Sequence, residues 1–159
     1  MKPRSCRTRD IYPTRRTASG ALCCVCGKPL TGRARRYCSG ECQDKALMLA
    51  DPGYAADRIH IRDKGICAHC GINTRALHEA LWSLGRWKQN KGEERLCNEL
   101  RRHIVSVMAK RGWNTSFWRW QSLSHIHHIK RHADGGASTY DNLITLCIPC
   151  HKAIHKKGT

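Results

Sequence analysis

The sequence predicts an α+β chain of small metal-stapled modules, and three observations lead to that prediction. Eleven cysteines are present, most of them in pairs two or three residues apart. Aromatic residues make up only 6% of the 159, with a single Phe, which leaves little material for one large hydrophobic core. Apolar periodicity is confined to two helical stretches and to short runs near the C-terminus. The length itself accommodates one ordinary domain or two small ones.

Charge narrows the partners. Lys and Arg number 29 against 12 Asp and Glu, a formal net charge of +17. That excess favours a polyanion, because each phosphate neutralised releases condensed counterions. Nucleic acid is the first candidate and an anionic membrane surface a distant second. The opening MKPRSCRTRD has no apolar leader core, and no apolar run approaches the roughly 18 residues of a membrane span. A cytoplasmic protein is therefore expected, and in a reducing compartment close cysteine pairs are metal ligands more often than disulfides.

Residues 1–20 are polar and basic, with Arg4, Arg7, Arg9, Arg15 and Arg16, and read as a disordered arm in which Cys6 stands alone. Residues 21–50 read as a four-cysteine zinc finger. Cys23-x-x-Cys26 is followed by Gly27, which tolerates the tight turn of a knuckle, and Cys38-x-x-x-Cys42 follows eleven residues later. Four thiolates suit one tetrahedral zinc, with Cys24 the alternative to Cys23 as first ligand. The segment resembles the small treble-clef zinc fingers with a CxxCG…YCSxxC pattern. A short helix from Gln43 to Ala50 would complete it, and Arg33, Arg35 and Arg36 between the cysteine pairs are candidate phosphate contacts.

Asp51-Pro52-Gly53 reads as a turn and domain boundary, so residues 51–159 form the second module. A short helix over 54–64 leads to a second knuckle, Cys67-x-x-Cys70, again followed by glycine. Residues 75–111 read as an insert of two helices broken at Asn90-Lys91-Gly92. Leu77, Leu81 and Leu84 stripe the first, and Leu96, Leu100, Ile104, Val107 and Met108 the second. Cys97 reads as a small core residue, and Trp113, Trp118 and Trp120 as core residues ahead of base-stacking ones.

The C-terminal segment carries the chemistry. A strand over 124–129 is followed by a turn at Gly135-Gly136 and a second strand over 142–146. A third knuckle, Cys147-x-x-Cys150, runs into a helix from about Pro149, with His151 and His155 one turn apart on one face. Neither Cys67 and Cys70 nor Cys147 and Cys150 have a second pair nearby. Together they complete one tetrahedral structural zinc site that clamps the 76 residues between Cys70 and Cys147.

The run HHI…GG…YDNLITLCIPCH is similar to the zinc-braced form of the HNH, or His-Me finger, endonuclease motif. The namesake residues are His128, Asn142 and His151, and His127 stands where the family usually has Asp. The resemblance implies a ββα-metal hairpin and an endodeoxyribonuclease acting on double-stranded DNA. His128 would be the general base; His127 and His151 would hold one divalent ion (Mg²⁺, Mn²⁺, Ni²⁺ or Zn²⁺), with His155 a further ligand or a phosphate contact. Asn142 would fix the loop between the strands through backbone hydrogen bonds, and the products would carry 5′-phosphate and 3′-hydroxyl ends. Lys130, Arg131 and Lys152 lie within the motif and are candidate nucleic-acid contacts. His125 shares a strand face with His127 and is a candidate support for it, an exposed loop histidine being the commoner case, and His132 is a candidate phosphate contact. Compact proteins of this kind are frequent in phages, prophages and mobile elements. A non-catalytic zinc-finger protein that binds nucleic acid is the alternative, and the sequence specifies neither cleavage specificity nor oligomeric state.

Overall fold

A computed structural model describes residues 8–86, 91–113 and 123–157. Cys6, Asn90, Trp118 and Trp120 lie outside the described residues. The chain is mixed α and β, with two small two-stranded antiparallel sheets. It divides into two compact units, Met1–Arg58 with His128–Leu143, and Ile59–His127 with Ile144–Thr159. The division passes through the C-terminal hairpin and falls after Arg58.

In the first unit, helix α1 (Thr8–Ile11) precedes strands β1 (Arg15–Thr17) and β2 (Gly20–Leu22). These strands pair antiparallel with Arg15 opposite Leu22 and Thr17 opposite Gly20. The expectation of a disordered arm over 1–20 therefore does not hold for its described part. Its basic composition hid a tight hairpin, in which Gly20 takes a positive φ that an L side chain resists. Helix α2 (Gly40–Ala50) begins at the N-cap Ser39, whose hydroxyl accepts from the Cys42 amide at 3.3 Å. The cap also sets the phase of the helix, so that Cys38 and Cys42 flank its start. Asp51 closes α2 and opens α3 (Pro52–Asp63): its Oδ1 accepts from the amides of Gly53 and Tyr54. Asp51-Pro52-Gly53 thus joins two helices instead of forming a loop, with Pro52 at the first helical position.

In the second unit, Asn73 caps α4 (Thr74–Arg86) by accepting from Ala76 at 2.9 Å. Helix α4 packs against α5 (Lys91–Lys110). Lys91 and Gly92, expected in a break, begin α5. The core of the pair holds Leu81, Met108 and Leu123, flanked by Leu77, Ile104 and Trp113. Of the apolar stripe expected along α5, Met108 is buried and Ile104 half-buried, while Leu96, Leu100 and Val107 are 66%, 47% and 36% exposed. Helical spacing shows that a face is apolar without supplying a partner to cover it.

Strands β3 (Ser124–His128) and β4 (Leu143–Cys147) form the C-terminal hairpin, and α6 (Ile148–Lys157) follows β4 directly. A second core packs Cys67, Leu146 and Cys147 with Ile72, Trp113, Ile144 and Ile154, so Trp113 is a core residue of both clusters. Thr145 is the fixed point of β4. Its amide donates to the Asp63 carboxylate at 2.9 Å, and its carbonyl accepts from Ala68 at 2.9 Å.

Burial acts to raise the Asp63 carboxyl, but hydrogen bonds from Arg62 and Thr145 outweigh it and hold the group below the usual carboxylate range. A depressed native value means stabilisation that is full above the unfolded value, about 3.9, and lost as pH falls through the native one. Asp63→Ala should therefore cost about 1.5–3 kcal/mol at neutral pH, with a gap to wild type that narrows below about pH 4. Denaturant titrations at several pH values check this, and a gap independent of pH would refute the assignment.

Candidate active site

The two CxxC knuckles of the finger and the second module share one backbone pattern. In each, the glycine amide donates to the carbonyl of the first cysteine: Gly27 to Cys23 and Gly71 to Cys67, both at 2.9 Å. The first cysteine's own amide donates to the residue after the glycine, Lys28 or Ile72. The turn requires φ of +77° and +72° at Gly27 and Gly71, a region glycine enters without steric cost.

Sulfur atoms then converge in two groups, Cys23, Cys26, Cys38 and Cys42, and Cys67, Cys70, Cys147 and Cys150. Cys23 and not Cys24 belongs to the first group. Sulfur separations are 3.4 Å for Cys26 and Cys38, 3.6 Å for Cys38 and Cys42, and 3.7 Å for Cys70 and Cys147. A disulfide would need about 2.05 Å. A tetrahedral zinc with bonds of about 2.3 Å places its sulfurs roughly 3.8 Å apart, so the donor sets fit that ion.

Electrostatics point the same way. At Cys67 burial opposes ionisation, but backbone amides of the knuckles outweigh it and bring the thiol down to about 7. At Cys150 burial, with its neighbours Cys70 and Cys67, pushes the thiol up to about 11. In the finger, Cys38 is pushed up to about 12 by hydrogen bonding with Cys26 and Cys42. Each cluster thus has one thiol held low, Cys23 or Cys67, and others pushed up, which a bound cation would favour as thiolates. His69, which carries no sequence signal, approaches the Cys150 sulfur with its Nδ1 at 3.5 Å.

A third group holds His127 on β3 and His151 and His155 on α6, with their ligating atoms within 4.8 Å of one another. The Nε2 atoms of His151 and His155 are 3.2 Å apart, and the His127 ring lies 5.4 Å from each of theirs. His125 turns its Nδ1 to within 3.3 Å of Nδ1 of His151. Burial first, then the charges of His125, His155 and His127, lower His151 to about 4. Three imidazoles whose ligating atoms converge at that spacing fit one divalent ion.

His128 is the next residue on β3. Its Nε2 lies 3.0 Å from the Ser138 hydroxyl, a partner the sequence did not signal. Burial, and then His132, lower His128 below the usual imidazole value, so it is neutral near pH 7. Between the strands, a 3-10 turn at His132–Asp134 is followed by Gly135 and Gly136. Asn142 spans this loop: its Oδ1 accepts from the Lys130 amide at 2.8 Å, and its Nδ2 donates to the carbonyls of Lys130 and Ala137 at 3.0 and 2.8 Å. Gly136 is needed for close approach, since a Cβ there would run into the Lys130 carbonyl and sit 2.8 Å from Asn142 Nδ2.

The cationic candidates divide. Arg33, Arg35 and Lys130 are exposed, and Arg131 is exposed while paired with Asp134 at 2.8 Å. Arg36 is half-buried, donates to the Tyr12 carbonyl at 3.0 Å and lies over the Tyr37 ring, so it is engaged inside the finger. Lys152 donates to the Gly112 carbonyl at 2.8 Å. Both stand among the candidate nucleic-acid contacts expected from the sequence. Such local partners are invisible in composition.

Residues 115–157 match the family model described as HNH endonuclease. Beyond the family, the chain is similar to proteins named DNA annealing helicase and endonuclease ZRANB3. It is 26% identical to the Mus musculus protein over 122 residues, which cover 74% of this chain and 11% of that one. The Homo sapiens protein is 26% identical over 119 residues, covering 74% and 10%. The chain thus spans about a tenth of the length of these relatives. No solved structure matches it.

Proposed function

We propose that this protein is a metal-dependent endonuclease that hydrolyses phosphodiester bonds of double-stranded DNA, with two structural zinc ions and one catalytic divalent ion. The observation that carries the reading is the His127, His151 and His155 group, lying inside the stretch matched by the HNH endonuclease model. The ZRANB3 relatives, named as acting on DNA and as endonucleases, support it, as does the net charge of +17.

His127, His151 and His155 would hold the divalent ion, which would supply Lewis-acid stabilisation of the charge that develops on the scissile phosphate, an effect worth several kcal/mol. His128, neutral and hydrogen-bonded to Ser138, takes the proton from the attacking water. Asn142 holds the loop closed, so that His128 keeps its orientation while DNA binds. Departure of the 3′ oxygen leaves 5′-phosphate and 3′-hydroxyl ends. Arg33, Arg35, Lys130 and Arg131 contact the phosphate backbone outside the scissile position.

The test is conversion of supercoiled plasmid to open circle with Mg²⁺, Mn²⁺ or Ni²⁺. Nicking should require an added ion and stop with a chelator that leaves the thiolate-bound zinc in place. Plasmid that is bound but never nicked with any of these ions would instead establish a non-catalytic nucleic-acid-binding protein.

A further inference from the structure

Within the first unit, one polar cluster ties the finger helix to the hairpin loop. Asp44 on α2 accepts a hydrogen bond from Tyr54 of α3 at 2.6 Å. It also accepts from Tyr140 of the loop, whose hydroxyl lies 3.0 Å from Oδ2 and 3.2 Å from Oδ1. Arg58 completes the group, its Nε 3.1 Å from the Asp44 carboxylate and 3.0 Å from the Tyr140 oxygen. The Tyr140 hydroxyl therefore donates to a carboxylate and accepts from a guanidinium at once, both charge-assisted contacts. The carboxylate is 20% exposed and so is partly shielded from water.

Both ends of this contact sit beside functional groups. Asp44 follows Cys42 by two residues on the helix whose start is fixed by the Ser39 cap. Tyr140 lies between Ser138, the partner of His128, and Asn142, the residue that closes the loop. A continuous path therefore runs from the cysteine cluster through α2 and Asp44 to Tyr140, in the loop that carries Ser138. The sequence places the N-terminal finger apart from the second module, with candidate phosphate contacts of its own.

We propose that the N-terminal finger is a positioning element of the nuclease site, with Asp44 and Tyr140 as positioning residues that hold the 128–143 loop in its active shape. The inference rests on the nuclease reading for its kinetic consequence alone, since the structural coupling is measurable without activity. Tyr140→Phe removes one oxygen and keeps the ring, and Asp44→Ala removes the acceptor.

In the full chain with zinc content verified, each variant should lower kcat at saturating DNA roughly tenfold, while KM and DNA affinity stay within about twofold. The double variant should be no worse than the worse single, because both break one contact. Hydrogen exchange across residues 128–143 should quicken in both variants. Unchanged kcat and exchange in Tyr140→Phe at full zinc content would overturn the proposal. So would a loss of DNA affinity at constant kcat, which is the behaviour of a grip. If wild type does not nick, the nuclease reading fails by itself, and hydrogen exchange still decides whether the finger holds the loop.

Discussion

His128→Ala should lower plasmid nicking about 10²–10⁴-fold while leaving DNA affinity within about twofold, the range expected when a positioned general base is removed. Affinity should survive because binding draws on a net charge of +17 spread over the chain, to which a neutral imidazole adds little. The imidazole is suited to the role because burial, followed by the nearby His132, depresses its proton affinity. The sign of the pH dependence follows. A base acts when deprotonated, so the rate falls as pH drops through the His128 value, which lies below the ordinary figure of about 6.5. At saturating divalent ion, half-maximal rate is therefore expected below pH 6.5, and this limb should vanish in the residual activity of the variant. Equal nicking by wild type and His128→Ala would remove His128 from the mechanism. A variant that lost affinity and rate together would mark it as a structural residue of the loop.

What the sequence makes legible is the chemistry that needs fixed spacing. A metal constrains its donors to a few ångströms, so CxxC pairs and histidines one helical turn apart announce themselves. The grouping of Cys67 and Cys70 with Cys147 and Cys150 was readable because neither pair could be satisfied alone. Contacts made by ordinary polar residues over long separations leave no such mark. Asp44 and Tyr140 are 96 positions apart and obey no spacing rule, so the link from finger to loop was missed. His125 was placed on the correct strand face, but its approach to His151 depends on how α6 leaves β4. The hairpin of Arg15–Leu22 was concealed by arginines that are exposed on a two-stranded ribbon. On α5 the error ran the other way, since Leu96 and Leu100 have the spacing of a buried stripe and remain exposed.

Cys147→Ala should abolish folding of the second unit, the largest structural effect expected for a single substitution. Binding of structural zinc in small fingers amounts to about 10–16 kcal/mol at neutral pH, as large as the whole net stability of an ordinary domain, about 5–15 kcal/mol. The apolar core described here is small: among the described residues, beside the cysteines, the cluster around the site buries only Leu146 fully. Cys147 is itself buried, ends β4 and starts the turn into α6, so its loss also frees the elements that carry His127, His151 and His155. Wild type should contain about two zinc per chain resistant to mild chelation, and the variant about one, retained by Cys23, Cys26, Cys38 and Cys42. Circular dichroism and metal analysis on the same samples check both halves of the expectation. A variant that kept two zinc ions and a cooperative transition at the wild-type temperature would show that Cys147 is not a ligand. A wild-type chain with one zinc or none would remove the four-cysteine brace and, with it, the reason for the hairpin to hold its histidines in place.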